Sequence, residues 1–266
     1  MQYKHIQNLV AGLALLGFDV RKTADSIRGI VPFLRDYRKL RQQTRQVDGG
    51  FPFVNIYPCL TDRYAQSGVA IGHYFHQDLL VARKVFHNAP ERHVDVGSRI
   101  DGFVAHVAAF REIDVVDIRN LISSAKNIKF LRSDLMGELP GSLIGCCDSL
   151  SCLHALEHFG LGRYGDPIKI DGHLMGFRNL SRMVKTGGKL YLSVPIGPQR
   201  IEFNAHRVFS LGYLLDMVHG NYRLDSFSFV DDEGEIHENI PLGQEQIANN
   251  CGCVYGCGIL ELTKLS

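Results

Sequence analysis

From residue 92 onward, short and largely apolar segments alternate with helical ones, which constrains the fold more than any other feature of the sequence. Largely apolar strands separated by helices are typical of a parallel sheet that is covered on both faces. Two helical segments fall between the strands, FVAHVAAF (103–110) and DGHLMGFRNLSRMVK (171–185). The predicted strands are HVDVG (93–97), EIDVVDI (112–118), IKFLRSD (128–134), CCDSLSCLHAL (146–156) and KLYLSVP (189–195).

The last two apolar segments depart from this alternation. YRLDSFSFVD (222–231) and VYGCGILELTK (254–264) both have the pattern of strands, and the loop between them shows no clear helix. Strands joined without a helical crossover usually pair antiparallel. We therefore predict an α/β fold, a Rossmann-like doubly wound sheet of about seven strands that is mostly parallel and ends in an antiparallel hairpin.

The N-terminal part of the chain has a helical pattern instead. Residues 3–46 carry apolar positions at helical spacing, and Pro32 predicts a break or kink. Glycines, prolines and aromatic residues follow over 47–64 and indicate a linker or an ordered loop. The predicted division is a helical N-terminal extension with its linker over 1–70, and one α/β domain over 71–266.

Composition excludes several classes of function. The net charge of +1 argues against a general nucleic-acid or membrane-surface binder. The apolar stretch LVAGLALLGF (9–18) is too short to span a bilayer, so we expect a packed helix face, no integral membrane segment, and at most peripheral membrane contact. Seven cysteines, an odd number without framework spacing, predict a reducing, cytoplasmic location.

Acidic residues stand where the predicted strands end, which is where open α/β sheets bind ligands. The first strand ends in Asp95-Val-Gly97, and the second ends in Asp117, 22 positions after Asp95. A carboxylate at that distance can accept two hydrogen bonds from a ribose diol. Asp134 ends the third strand, where an adenine amino group could be met.

The segments DVGS, VVDIR, RSDL, LHALEHF and GGKLYLSVP, in this order, resemble the class I S-adenosylmethionine (SAM)-dependent methyltransferases over about residues 72–264. The resemblance implies a class I methyltransferase-like domain over 71–266, whose last strand inserts antiparallel. It also implies SAM as cofactor and methyl transfer to a small molecule or a sugar hydroxyl. GHYFHQDLLVARKVF (72–86) further resembles uncharacterised methyltransferase-like proteins associated with surface-glycan genes, which implies a glycan acceptor.

The resemblance also implies the residues of the site. His206 and His158 are the predicted acid-base groups, because imidazoles titrate near neutral pH. The predicted cofactor-binding residues are Tyr74, Asp95, Gly97, Ser98, Asp117, Ile118, Asp134, Leu135 and His154.

One loop departs from the family pattern of acidic-x-Gly-x-Gly-x-Gly. Only Gly97 is kept, and Arg99 and Asp101 stand at the later positions. Three orientations of the Arg99 side chain are open: it folds outward, it reaches the SAM carboxylate, or it fills the pocket. The third would make the chain a catalytically inactive binding or scaffold protein. A dinucleotide dehydrogenase is disfavoured because GSRIDG (97–102) lacks the middle glycine, and a P-loop because GK[ST] is absent.

His154 and His158 have the i, i+4 spacing of a helical pair of metal ligands. The intervening Glu157 is not in the HExxH position, and the segment begins as a strand. The cysteines lack zinc-site spacing and fit packing within the sheet. The sequence therefore predicts no metal ligand.

Overall fold

The computed structural model describes residues 17–44 and 51–265, which fall into two compact units, Met1–Val69 and Ala70–Ser266. The helix face predicted for residues 9–18 lies almost entirely outside the described residues. Within 17–44 and 51–265, no helix combines the length and the apolarity that crossing a membrane requires.

The first unit contains helix α1 (Val20–Thr44), which continues through Pro32, so the break predicted there is absent. Gly29 is the buried residue of this helix, and a Cβ atom at this position would overlap the carbonyl oxygen of Leu60. The close approach of helix and following segment therefore depends on a residue without a side chain.

The second unit contains one large sheet and the helices that cover it. Its helices are α2 (His73–Asn88), α3 (Ala105–Ala108, preceded by a wide helical turn over Ile100–Val104), α4 (Gly172–Met183), α5 (Leu211–Val218) and α6 (Gln244–Ala248). Its strands are β1 (His93–Val96), β2 (Ile113–Asp117), β3 (Ile128–Arg132), β4 (Cys147–Leu153), β5 (Val184–Ile196), β6 (Arg200–Glu202), β7 (His206–Val208), β8 (Tyr222–Val230), β9 (Ile236–His237) and β10 (Gly256–Lys264).

The sheet confirms the predicted fold class. Its strand order is β3-β2-β1-β4-β5-β10-β8-β9, and the pairs among β1 to β5 are all parallel. Strand β10 inserts antiparallel between β5 and β8, as the terminal segments predicted. The loop between β8 and β10, which showed no clear helix in the sequence, contains strand β9 and helix α6.

Apolar residues of the sheet face in both directions, so that two separate cores form. Helices α4 and α5 cover one face, where Leu190 and Leu192 of β5 are buried. Helices α2 and α3 cover the other face, where Tyr191, the β5 residue between Leu190 and Leu192, is buried. Burial on both faces explains why the parallel strands are nearly continuous apolar runs.

A row of buried polar side chains joins strand β1 to strand β4 by hydrogen bonds. His93 is 1% exposed, with Nδ1 2.8 Å from Ser149 Oγ and Nε2 3.1 Å from Ser151 Oγ. Ser151 Oγ donates to Asp95 Oδ1 at 2.6 Å, so it accepts its other hydrogen bond from His93 Nε2–H. Burial, followed by the nearby Arg111, lowers the pKa of His93 to about 3.

The substitution His93→Gln should remove a pH-dependent part of the stability. Because the pKa of His93 is depressed in the folded chain, its contribution is present above pH about 6.5 and is lost as pH falls toward about 3. In this window the free energy of unfolding of the wild type should fall relative to that of the variant by up to about 1.4 kcal/mol per pH unit.

Urea denaturation at several pH values across this window measures the difference, with the exposed His219→Gln as the control. Parallel pH profiles for wild type and His93→Gln would contradict the buried, neutral state assigned to His93.

Candidate functional site

The carboxyl ends of the parallel strands surround a cavity that is partly open to solvent. Six of the nine predicted cofactor-binding residues line it, and they come from the ends of four neighbouring strands: Gly97, Asp117, Ile118, Asp134, Leu135 and His154.

Two of the other predicted residues, Asp95 and Ser98, lie behind the cavity wall. Asp95 is fully buried and accepts hydrogen bonds from the backbone nitrogen and the hydroxyl of Ser98, at 3.1 and 2.6 Å, besides that of Ser151. Burial raises the pKa of Asp95 to about 6, although these donors act to lower it. The geometry gives this pair a part in shaping the loop, and direct contact with a cofactor stays a prediction.

Gly97 turns the chain at the cavity floor. Its φ of +73° is strained for any residue with a Cβ atom, and such an atom would lie 2.8 Å from the Cβ of Ala155. The loop after β1 and the loop after β4 therefore meet without space for a side chain at residue 97.

Arg99 folds outward. Its NH2 group lies 2.8 Å from Asp101 Oδ2, its Cζ atom lies 5.3 Å from the ring centre of Tyr74, and its side chain is 56% exposed. It is absent from the cavity lining. The Asp101 carboxylate is engaged with Arg99, and no side-chain capping hydrogen bond forms at the start of the following helical turn.

Asp117 lines the cavity but is held by Arg119. Its Oδ1 accepts from the Arg119 backbone nitrogen at 2.8 Å and from Nε at 3.0 Å, and its Oδ2 accepts from NH2 at 2.6 Å. The Arg119 guanidinium also stacks on Tyr164, with Cζ 4.4 Å from the ring centre. Sequence reasoning missed Arg119 and Tyr164, since only the fold brings residue 164 next to the end of β2.

Asp134 and Leu135 close the side of the cavity after β3. Asp134 Oδ1 accepts from the backbone nitrogen of Met136 at 2.8 Å, which fixes the turn, and Leu135 is buried against the cavity. One carboxylate oxygen of Asp134 forms no hydrogen bond within the part of the chain that the structure describes.

The segment after β4 carries three buried ionisable residues, His154, Glu157 and His158. His154 has a φ of +49°, and its Nδ1 lies 2.8 Å from Glu157 Oε1. His158 Nδ1 donates to the carbonyl of Ala205 at 2.7 Å. Burial acts to raise the pKa of Glu157, but His154 holds it below its ordinary value.

The two predicted acid-base residues differ in position. His158 lines the cavity, and burial lowers its pKa although Glu157 acts in the opposite direction. His206 does not line the cavity; its ring packs against Tyr255 at 5.0 Å between centres. Tyr74 also lies outside the lining, with its ring centre 5.0 Å from that of His154.

A sequence profile described as "Caenorhabditis protein of unknown function, DUF268" matches residues 117–249, which are 133 of the 266 residues. The chain belongs to the DUF268 family. The match begins at Asp117 and includes His158 and His206, whereas strand β1 and its loop lie outside it. No curated protein matches the DUF268 chain in sequence.

Solved structures share the fold of this DUF268 protein. The 1,6-didemethyltoxoflavin-N1-methyltransferase of Burkholderia thailandensis, solved with 1,6-didemethyltoxoflavin and S-adenosylhomocysteine, is 12% identical, with 71% of this chain and 79% of that chain covered and a TM-score of 0.50. YcgJ of Bacillus subtilis is 14% identical, with 72% and 99% covered and a TM-score of 0.49. At 12% identity the likeness to the Burkholderia structure shows the fold alone, and it gives no support to an association with surface-glycan genes.

The substitution Gly97→Ala should destabilise the DUF268 protein more than Gly187→Ala does. Both glycines have positive φ, +73° and +77°, but a Cβ at Gly187 meets nothing within 4 Å. Both variants lose about 1–2 kcal/mol from backbone strain. Gly97→Ala should lose a further 1–3 kcal/mol, roughly the cost of overpacking, because of the contact with Ala155.

Chemical denaturation measures both changes, and the double variant Gly97→Ala/Ala155→Gly should recover much of the additional loss. Equal destabilisation by Gly97→Ala and Gly187→Ala would show that the two loops are not in tight contact.

Proposed function

We propose that this DUF268 protein binds SAM in the cavity at the carboxyl edge of its sheet and transfers the methyl group to a small molecule. The observation that carries the proposal is the convergence of six predicted cofactor residues, from four strand ends, on one cavity. The Burkholderia structure with the same fold is named as a methyltransferase and holds S-adenosylhomocysteine, which agrees with this cofactor.

The residues present fit the parts of SAM. Gly97 leaves backbone space at the floor, Asp117 supplies a carboxylate for the ribose diol, and Ile118 and Leu135 supply apolar surface beside the adenine. Asp134 has an oxygen available for the adenine amino group. SAM carries no phosphate, so a loop with a single glycine and few backbone donors can suffice.

Cofactor binding requires an exchange of partners at Asp117. In the structure, Arg119 occupies both carboxylate oxygens, although its own side chain is 50% exposed. The Asp117 carboxylate is only 13% exposed, so it needs replacement hydrogen bonds when Arg119 leaves. The two ribose hydroxyls would supply them, and Arg119 could remain on the ring of Tyr164.

Methyl transfer requires that the methyl donor and the acceptor are held close together and that a base is present, rather than covalent catalysis. His158 is the better placed of the two predicted bases, because it lines the cavity and its lowered pKa keeps the imidazole neutral. Its Nδ1 is bound to the Ala205 carbonyl, which leaves Nε2 as the proton acceptor. The acid-base role of His206 stays a prediction.

The acceptor is proposed only as a small molecule. The Burkholderia neighbour is named for transfer to nitrogen, so a preference for a hydroxyl group stays a prediction, as does a cytoplasmic location. The catalytically inactive alternative depended on Arg99 filling the pocket, and no observation favours it because Arg99 pairs with Asp101 instead.

The substitution Asp117→Ala should weaken binding of SAM and of S-adenosylhomocysteine at least tenfold. The ribose would lose hydrogen bonds to a charged group, which contribute about 1.5–3 kcal/mol each. Calorimetric titration measures the affinities. Asp114→Ala is the matched control. Asp114 lies on the same strand as Asp117, but it pairs with Arg92 and does not line the cavity.

Arg119→Ala should bind at least as tightly as the wild type, since it frees the Asp117 carboxylate. Absence of binding to the wild type at millimolar ligand, or equal losses in Asp117→Ala and Asp114→Ala, would contradict the proposed cofactor site.

A further inference from the structure

Three metal-ligand side chains from distant parts of the sequence meet beside the cavity. His73 is the first residue of α2, His154 follows β4, and Cys257 lies near the start of β10. One donor atom from each lies within 4.8 Å of the other two. His154 and Cys257 are buried, and His73 is partly buried.

His154 presents an unpaired nitrogen in this cluster. Its Nδ1 lies 2.8 Å from the carboxylate of the buried Glu157, so Nδ1 carries the proton that Glu157 accepts. Its Nε2 is buried and has no hydrogen-bond partner among the residues that the structure describes. A buried polar atom without a partner costs about 1–3 kcal/mol, so it calls for a ligand.

The other two residues are also available as ligands. The rings of His73 and His154 are stacked, with centres 5.3 Å apart and planes 14° apart. The Cys257 thiol has only weak contacts, with Sγ 3.7 Å from Gln77 Oε1 and 3.9 Å from the carbonyl of Gly258.

We propose that His73, His154 and Cys257 bind one Zn²⁺ ion. Two imidazoles and a thiolate form a ligand set that suits zinc. The pair of Glu157 and His154 supplies the carboxylate that commonly orients and strengthens a metal-bound histidine. Donor atoms around tetrahedral zinc lie about 3.3–3.7 Å apart, so the side chains close by about 1 Å when the ion binds.

Three protein ligands leave the fourth position of zinc open, as in catalytic zinc sites. His154 also lines the cavity assigned to SAM, which places the ion at the wall of that cavity. An acceptor oxygen or nitrogen bound at the open position would be polarised there. This role rests on the proposed function, whereas binding of the ion does not.

The sequence predicted no metal ligand because it offered only the pair His154 and His158. In the structure these two histidines flank the Glu157 carboxylate instead, with His154 Nδ1 at 2.8 Å and His158 Nε2 at 3.6 Å from Oε1, and His158 Nδ1 donates to the carbonyl of Ala205. Residues 73, 154 and 257 have no motif spacing, and only the fold brings them together.

Zinc titration and Co²⁺ substitution test the site without any cofactor. The chelator-treated protein should bind one equivalent of Zn²⁺, measured by elemental analysis after gel filtration. Its Co²⁺ form should show a thiolate-to-cobalt charge-transfer band and the visible bands of a tetrahedral ion. Cys257→Ser should lose the charge-transfer band, and Cys253→Ser, which replaces another buried thiol outside the cluster, should keep it.

Two further variants keep the test decisive if Cys257→Ser fails to fold. His73→Gln should weaken Zn²⁺ binding at least tenfold, and Glu157→Gln should weaken it about 10- to 100-fold through the orientation of His154. Substoichiometric zinc, a Co²⁺ spectrum without the thiolate band, or equal effects of Cys257→Ser and Cys253→Ser would overturn the proposal. Because no SAM is present, these outcomes are independent of those for the cofactor site.

Discussion

The hydrogen bonds of the Asp95 carboxylate hold together the edge of the sheet on which the candidate site depends. This fully buried group accepts from Ser98 in its own loop and from Ser151 in β4, which ties two adjacent strand ends to each other. Removal of the Ser151 hydroxyl would leave this buried carboxylate with the two donors of Ser98 alone, a loss of about 1–3 kcal/mol. The tight contact of Gly97 with Ala155, and with it the cavity floor, follows from this arrangement.

The order of the elements was predictable because the central parallel strands β1 and β4, buried on both faces, appear in the sequence as largely apolar runs. The residues at the strand ends were predictable for the same reason, since knowing where a strand ends places the side chain that follows it. Helix α2 shows the limit: Phe75 and Phe86 fit the apolar periodicity but are exposed, whereas Gln77 and Asp78 are buried. Gln77 accepts from Ser193 at 2.5 Å, a long-range hydrogen bond that periodicity does not reveal.

His154 connects the two proposed sites. It lines the cavity assigned to SAM and supplies one nitrogen to the cluster assigned to zinc, while Glu157 fixes its orientation. Arg207 donates to the carbonyls of Glu157 and Phe159, at 3.3 and 2.6 Å, and so holds this segment from the side of β7. The segment after β4 is therefore the part of the fold where cofactor, ion and acceptor would come together.

A crystal structure of the protein grown with S-adenosylhomocysteine is the most direct measurement of the central claim, that this edge of the sheet is a SAM site. The account predicts the nucleoside in the cavity, with the ribose hydroxyls on the Asp117 carboxylate and Arg119 displaced from it. A cavity without ligand at saturating concentration, with Arg119 still paired to Asp117, would contradict the account.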